Sequence, residues 1–259
     1  MPSARLADIA LHYTERGSGR PLLLVPGIPA IASDWAPLAE RLAGSRRVIA
    51  YDNRGSGTST VSPAPYTTAQ LAADAAGLLD ALEIERADVF GMSLGGMIAQ
   101  ELALGWPERV HRLVLGCTHC GVEHAARPDR EAGRAFAMET DDWAERMRAL
   151  APFAFAAGAR EELLGPFIEK KAADVQDPEG YRGQIAAALG HDAYDRLPQI
   201  EAPTLIVTGD DDRVIPGAGS EVLHERIAGS RLAVVAGAGH LFFLERPDES
   251  VRLLEEFLG

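Results

Sequence analysis

The amino-acid sequence predicts an α/β fold in which a mostly parallel sheet is covered by helices on both faces. Between residues 22 and 115, short apolar runs alternate with stretches whose apolar residues recur at helical spacing. The run at 22–25 is continuously apolar, as is typical of a strand buried on both faces. This alternation requires a parallel sheet, because each helix carries the chain back to the end where the last strand began.

The elements before residue 120 follow one another regularly. Alternating apolar and polar residues over 5–16 predict a hairpin at the edge of the sheet. The strands expected next are 22–25, 47–51, 87–90 and 110–115, and the helices between them are 33–43, 67–82 and 97–104. After residue 198 the pattern resumes, with strands at 204–208 and 231–235 and helices at 217–228 and 247–258.

Residues 120–198 interrupt the alternation. They predict four helices in succession, at 128–139, 141–150, 160–173 and 178–194. We interpret 120–198 as a helical cap, and 1–119 with 199–259 as the core domain. The large apolar residues of the cap are expected either to pack its helices together or to line a pocket. They are Phe136, Met138, Trp143, Met147, Phe153, Phe155 and Phe167.

Composition and charge exclude several classes of function. The 259 residues carry a formal net charge of −13, dispersed along the chain, which disfavours nucleic acid and anionic membranes as partners. No apolar stretch approaches the roughly 20 residues needed to span a bilayer, and the N-terminus lacks the pattern of a signal peptide. The two cysteines form no disulfide framework. A cytoplasmic protein is therefore expected, whereas the oligomeric state is not readable from the sequence.

A glycine-rich stretch between a strand and a helix supplies a candidate nucleophile. Ser93 lies within Gly91-Met92-Ser93-Leu94-Gly95-Gly96, directly after the run at 87–90. Glycines on both sides let the chain turn sharply and let strand and helix approach closely. This G-x-S-x-G pattern, set between a strand and a helix, is typical of a nucleophile elbow that exposes the serine hydroxyl. The alternative is an incidental serine in a glycine-rich loop.

The chain also supplies the partners that such a serine needs. A serine hydroxyl is a weak nucleophile unless a base removes its proton and a third group orients that base. The cluster Asp210-Asp211-Asp212 follows the strand at 204–208, and His240 follows the strand at 231–235. A histidine titrates near neutrality and can exchange a proton with the serine. Because parallel strands end at one edge of a sheet, we expect these groups to meet there.

On these residues the sequence resembles the α/β-hydrolase superfamily, over essentially its whole length. The matching segments are 25–28, 51–59, 91–96, 209–216 and 239–240. It is most similar to the small esterase, enol-lactonase and cofactor-free perhydrolase-like branch, which carries a helical cap after the sixth main strand. The resemblance implies the α/β-hydrolase fold, a small-molecule substrate, and neither cofactor nor metal.

The resemblance also selects the acid. The family spacing Gly-x-x-Asp-x-x-x-Pro runs from Gly209 to Pro216 and selects Asp212. Asp210 and Asp211 are then expected to stabilise turns or cap backbone groups. In some relatives the acid follows the sixth strand instead, but here no acidic residue occurs after that strand before Glu123.

An oxyanion hole needs two backbone N–H groups aimed at the developing negative charge. The resemblance assigns them to Leu94, directly after the nucleophile, and to Ile28, after Gly27. Relatives commonly have a histidine before that glycine, where this chain has Pro26. Since backbone amides do the work, the hole is expected to form, with a different bracing of its loop.

Two further polar clusters have structural interpretations. Asp52, Arg54 and Ser59 lie in a loop whose counterpart in relatives is chiefly structural, and we interpret them as a bracing network. Cys117 and Cys120, with His119 between them, have the C-x-x-C spacing of metal and redox sites. Two cysteines and one histidine do not complete a structural zinc site, so we expect buried cysteines and no metal.

These observations predict a metal-free serine hydrolase that acts on an ester or lactone. Dehalogenases and epoxide hydrolases of this superfamily use an aspartate at the elbow, so Ser93 argues against both activities. Carbon–carbon bond hydrolysis, thioester hydrolysis and perhydrolysis stay open, because they can use the same three groups. A ligand receptor without turnover is the non-enzymatic alternative, since fold does not determine function.

Overall fold

The computed structural model describes residues 2–140, 142–174 and 176–259. Eight strands of these residues form one sheet in the order β1-β2-β4-β3-β5-β6-β7-β8. The strands are β1 Ser3–Arg5, β2 Ala10–Arg16, β3 Arg20–Val25, β4 Arg46–Tyr51, β5 Ala87–Met92, β6 Val110–Gly116, β7 Thr204–Gly209 and β8 Arg231–Val235. The predicted mostly parallel α/β sheet is confirmed, because only the β1·β2 and β2·β4 pairs are antiparallel.

The helices lie on both faces of this sheet. In the described residues they are α1 Ala36–Leu42, α2 Thr68–Ala81, α3 Leu94–Gly105, α4 Arg130–Phe136, α5 Trp143–Leu150, α6 Glu161–Ala173, α7 Pro178–Leu189, α8 Ala218–Arg226, α9 Phe242–Glu245 and α10 Pro247–Leu258. None of these helices is both long and apolar enough to cross a membrane.

Burial explains why the strands are apolar. One hydrophobic cluster lies between the sheet and α2 and α3, and the other lies between the sheet and α1 and α10. Neighbouring residues of β5 point to opposite clusters, Val89 to the first and Phe90 to the second. A strand that is covered on both faces has no solvent side, so a continuous apolar run replaces alternation.

The helical insertion after β6 is confirmed. Helices α4–α7 lie between β6 and β7, as the sequence predicts. The helix predicted at 178–194 is shorter, because it ends at Leu189 with Gly190 as its C-cap. The predicted helix at 141–150 begins at Asp141, which lies outside the described residues, and its described part begins at Trp143.

The two ends of the insertion are joined. Gly121 and Asp192 form an isolated antiparallel bridge, and the Ala193 N–H donates to the Cys120 carbonyl at 2.7 Å. Residues 120 and 193 therefore leave and re-enter the core side by side. The domain boundaries at 119/120 and 198/199 stay a prediction.

The start of α3 lies unusually close to the two central strands. A Cβ added to Gly95 would stand 2.0 Å from the Val25 carbonyl oxygen, and one added to Gly91 would stand 2.1 Å from the Gly95 carbonyl oxygen. Real side chains do not approach backbone this closely. Glycine at both positions therefore permits the crossing on which the β5–α3 turn depends.

We predict that Gly95→Ala lowers the free energy of unfolding by about 3 kcal/mol or more, because the new methyl group overlaps rigid backbone. Gly105→Ala, at the other end of α3, is the matched control, since an added Cβ there meets nothing within 4 Å. Alanine is the better helix former, so the control should gain up to about 1 kcal/mol. Urea unfolding measures both, and equal midpoints for the two variants would contradict this interpretation of the crossing.

Candidate active site

Ser93 occupies the turn from β5 to α3 in a conformation that few side chains adopt. Its φ of 57° and ψ of −124° place it outside the ordinary regions for a residue with a Cβ. The surroundings hold this strain in place. Its N–H donates to the Gly116 carbonyl at 2.9 Å, and its own carbonyl accepts from the Thr118 hydroxyl at 2.8 Å. The last strand before the insertion therefore stabilises the turn.

His240 and Asp212 form a buried pair beside this turn. His240 Nδ1 lies 2.8 Å from Asp212 Oδ2, and both side chains are almost fully buried. The other carboxylate oxygen, Oδ1, accepts the N–H groups of Val214 and Ile215 at 2.9 Å each. Asp212 is thus held by the loop after β7 and in turn orients the imidazole. Because Nδ1 faces the carboxylate, Nε2 is the nitrogen left for proton exchange.

The structure brings Ser93 and His240 to the wall of one cavity. In the described part of the chain, no hydrogen bond joins the serine hydroxyl to the imidazole. Such bonds are often long before substrate binds and tighten in the complex, and a serine hydroxyl rotates freely about its Cβ–Oγ bond. The predicted acid, base and serine are therefore in one place, with the serine–histidine bond unformed.

Ile28 and Leu94, the residues predicted for the oxyanion hole, flank Ser93. The loop after β3 runs against the elbow so closely that a Cβ on Gly27 would stand 2.8 Å from Ser93 Cβ. Leu94 begins α3, where backbone N–H groups lack partners within the helix. Among the described residues, neither the Ile28 nor the Leu94 N–H donates to a protein acceptor. Two free amides thus border the serine.

Asn53 braces the loop at Pro26. The Asn53 side-chain amide donates to the Pro26 carbonyl at 2.9 Å. The adjacent Asp52 carboxylate accepts the N–H of Ala32 at 2.7 Å and that of Thr58 at 3.0 Å. The loop that carries Ile28 is therefore hydrogen-bonded to the loop after β4. These bonds hold the Ile28 loop in a chain that has Pro26 where relatives commonly have a histidine.

The rest of the loop after β4 has the contacts of a bracing network, as the sequence predicts. Arg54 forms two bonds to Asp74, at 2.8 and 2.7 Å, and a third at 3.0 Å to Asp8. The Ser59 hydroxyl donates to the Asp52 carbonyl at 2.7 Å. Asp52, Arg54 and Ser59 do not line the cavity with Ser93.

The other two aspartates of the cluster after β7 bind backbone instead of the imidazole. Asp210 Oδ1 accepts the N–H groups of Gly237 and Ala238, in the loop that leads to His240. Asp211 Oδ2 accepts the Ala157 N–H at 2.6 Å, which connects the core to the insertion. These roles match the turn and capping functions predicted for them.

The two cysteines do not face each other. Cys117 belongs to the hydrophobic cluster on one face of the sheet and Cys120 to the cluster on the opposite face, and both are fully buried. Sγ of Cys117 lies within 4.8 Å of an Asp212 oxygen and a His240 nitrogen. Burial and the nearby Asp212 carboxylate raise the pKa of the Cys117 thiol. Metals bind the thiolate, so a thiol that stays protonated is better suited to packing in the core than to binding a metal.

The cavity over Ser93 lies between the core and the insertion and has a volume of about 590 Å³. Of the large residues considered in the sequence, Phe136, Met147 and Phe167 line it, whereas Met138 and Trp143 line a second cavity of about 620 Å³. The two cavities share Phe136 and Ile185 as a common wall.

Sequence reasoning missed three residues of the site. Lys171 of α6 is buried in the cavity wall, where its Nζ donates to the Pro29 carbonyl at 3.0 Å and to Asp34 at 2.9 Å. Sequence reasoning assigns no separate role to Asn53 and considers His119 only as a possible metal ligand between the two cysteines. The contacts of Lys171 with Pro29 and of Asn53 with Pro26 join residues that lie far apart in sequence, so no local pattern marks them.

The comparisons with known proteins agree with this geometry. A model of the "Alpha/beta hydrolase family" matches residues 22–253. The 2-hydroxymuconate semialdehyde hydrolase of Pseudomonas sp. strain CF600 is 34% identical over 98% of this chain and 92% of that protein. The crystal structure of the enol-lactonase from Burkholderia xenovorans LB400 superposes with a TM-score of 0.89, at 30% identity, over 99% of both chains.

An esterase from Exiguobacterium antarcticum superposes with a TM-score of 0.88, at 26% identity, over 99% of this chain and 98% of that one. The family model covers most of the chain, and the relatives align from end to end. The chain belongs to the alpha/beta hydrolase family and is a hydrolase.

Proposed function

We propose that this hydrolase cleaves the ester or lactone bond of a small, largely apolar substrate through a covalent acyl-enzyme. One observation carries the proposal. Ser93, in its strained turn, shares a cavity with His240, whose Nδ1 is held 2.8 Å from Asp212. The Ile28 and Leu94 amides, which have no acceptor among the described residues, flank the serine. Nucleophile, base, orienting acid and oxyanion donors are the four parts that acyl transfer requires.

The proposed reaction begins at Ser93. Nε2 of His240 takes the serine proton while Oγ attacks the acyl carbon, and the negative oxygen that forms accepts from the Ile28 and Leu94 amides. Asp212 stabilises the imidazolium that results. The imidazolium then returns its proton to the departing alkoxide, and the acyl group remains on Oγ. Water, deprotonated by His240, attacks the acyl carbon and releases the acid and the free serine.

The cavity wall supports a largely apolar substrate. Most of its lining side chains are aliphatic or aromatic, including Phe136, Met147 and Phe167 from the insertion. Among the lining charges, Asp34 and Lys171 are paired with each other at 2.9 Å, so they present little net charge to a ligand. We propose residues 120–198 as the cap that covers this substrate. The cytoplasmic location stays a prediction.

Hydrolysis of a carbon–carbon bond is the second candidate. The 34%-identical relative is named as a hydrolase of 2-hydroxymuconate semialdehyde, and the same three residues can serve that chemistry. A panel of p-nitrophenyl esters, lactones and a β-diketone separates the two. Turnover of the esters and lactones alone supports the leading proposal, whereas turnover of the diketone alone would replace it.

We predict that Ser93→Ala lowers kcat for p-nitrophenyl esters by at least about 10³-fold, because only the oxyanion donors and binding remain. A fluorophosphonate probe should label the wild-type protein and fail to label the variant. The urea midpoint checks that the variant folds. An undiminished rate of ester cleavage by folded Ser93→Ala would refute the proposed nucleophile.

We predict that Asp212→Asn lowers kcat by about 10³- to 10⁴-fold, since an amide no longer stabilises the imidazolium or selects its tautomer. Asp210→Asn and Asp211→Asn are matched controls in the same loop, because an asparagine oxygen can still accept the backbone N–H groups that these carboxylates bind. Both controls should keep kcat within about threefold. A large loss in either control, with Asp212→Asn unaffected, would move the acid to a different residue.

A further inference from the structure

His119 lies in the wall of the Ser93 cavity, at the start of the insertion. The residue is 8% exposed, and its position is held from two sides. The Gln100 side-chain amide donates to its carbonyl at 3.1 Å, and α8 packs against it at Gly219, where an added Cβ would stand 3.0 Å from His119 Cβ. The backbone and Cβ of His119 are therefore held in place.

One hydrogen bond determines the tautomer of this ring. The backbone N–H of Gly121 points at His119 Nδ1 over 3.1 Å. An N–H group can only donate, so Nδ1 is the acceptor and carries no proton. Burial lowers the pKa of His119 to about 4, so the ring is neutral near pH 7. A neutral imidazole with a bare Nδ1 carries its proton on Nε2.

The Nε2–H group has no acceptor within the described residues. The hydrogen bonds of His119 involve its carbonyl and Nδ1 alone. The other titratable groups in the cavity wall are committed elsewhere, Asp34 to Lys171 and His240 to Asp212. The indole N–H of Trp35 lacks an acceptor too, but it is sealed from the cavity. His119 is thus a neutral donor, about nine-tenths buried, on a wall whose other side chains are mostly aliphatic or aromatic.

We propose that His119 determines specificity by donating a hydrogen bond from Nε2 to a second oxygen of the substrate, outside the ester or lactone group that is cleaved. This inference rests on the proposed function. The scissile carbonyl already has the Ile28 and Leu94 amides as partners. The substrate class is therefore an ester or lactone whose acyl or alcohol part carries a further carbonyl or ether oxygen. A purely hydrocarbon chain leaves the donor unpaired, which costs binding free energy.

The test uses substrates that differ by one atom. They are the p-nitrophenyl ester of hexanoic acid and the esters in which oxygen replaces the methylene at carbon 3, 4 or 5. An oxygen near the carbonyl also changes the intrinsic reactivity of the ester. For each protein we therefore take the kcat/KM of an ether ester over that of the hexanoate ester. The measured quantity is this ratio in wild type divided by the same ratio in a variant. That division cancels the reactivity of the ester itself.

In His119→Leu we expect this quotient to be about fivefold to tenfold for at least one ether ester, partly because hexanoate cleavage improves once the unpaired donor is removed. His119→Gln, whose side-chain amide can place an N–H near the same point, should restore part of the preference. The urea midpoint checks folding, and His119→Phe serves if the leucine variant does not fold. A quotient of one for every ether ester would overturn the proposal and leave His119 a packing residue.

A binding measurement separates this proposal from the proposed function. Calorimetry on the Ser93→Ala protein compares the methyl esters of the same acids, with and without His119→Leu. We expect the ratio of the two affinities, that of the oxygen-containing ester over that of the hexanoate ester, to fall about fivefold after that substitution. An oxygen-dependent loss together with undiminished turnover by Ser93→Ala would keep the role of His119 and refute the serine mechanism. If His119→Leu does not change the ratio of the two affinities and Ser93→Ala abolishes turnover, the role of His119 is refuted and the serine mechanism is kept.

Discussion

The close crossing of α3 over β3 and β5 is the constraint on which the site depends. Gly91 and Gly95 let backbone meet backbone at distances that no side chain would allow. The crossing turns the chain so sharply that Ser93 adopts a positive φ. It also brings the start of α3, with its unpaired Leu94 amide, beside the loop that carries Ile28. The positions of the proposed nucleophile and of the proposed oxyanion donors thus follow from one packing contact.

The proposed base and acid reach the same place from two different strands, and the insertion is bonded to the loops that carry both. Asp212 leaves β7 and His240 follows β8, at the carboxyl edge where Ser93 follows β5. Asp211 binds the Ala157 N–H, and Glu245 accepts the N–H groups of Ala156 and Gly239, so the loop before His240 is connected to the insertion. Lys171 joins the insertion to the oxyanion loop. Movement of the insertion would therefore displace both the loop that carries Ile28 and the loops that carry Asp212 and His240.

Much of the fold and the candidate site could be predicted from the sequence, because the determining signals are local. Apolar runs and helical spacing predict the elements around β5 and α3. Residues that follow parallel strands are expected at one edge of the sheet, whatever the connections between the strands. Asp88 shows the limit. It lies in a run read as apolar, yet it is fully buried and bonded to Arg46 at 2.6 Å and His111 at 2.8 Å. Partners this distant in sequence leave no local trace, and the same holds for the contacts of Lys171 with Pro29 and Asp34.

The central claim is that Ser93 carries the acyl group, and rapid-quench mass spectrometry of the enzyme with a slowly deacylated p-nitrophenyl ester tests it most directly. Intact mass shows whether one acyl group is bound per chain, and peptide mapping shows where. The account predicts a single acyl group on the peptide containing Ser93, formed at the rate of the p-nitrophenol burst. Turnover without any adduct, or an adduct on another residue formed at the catalytic rate, would contradict it.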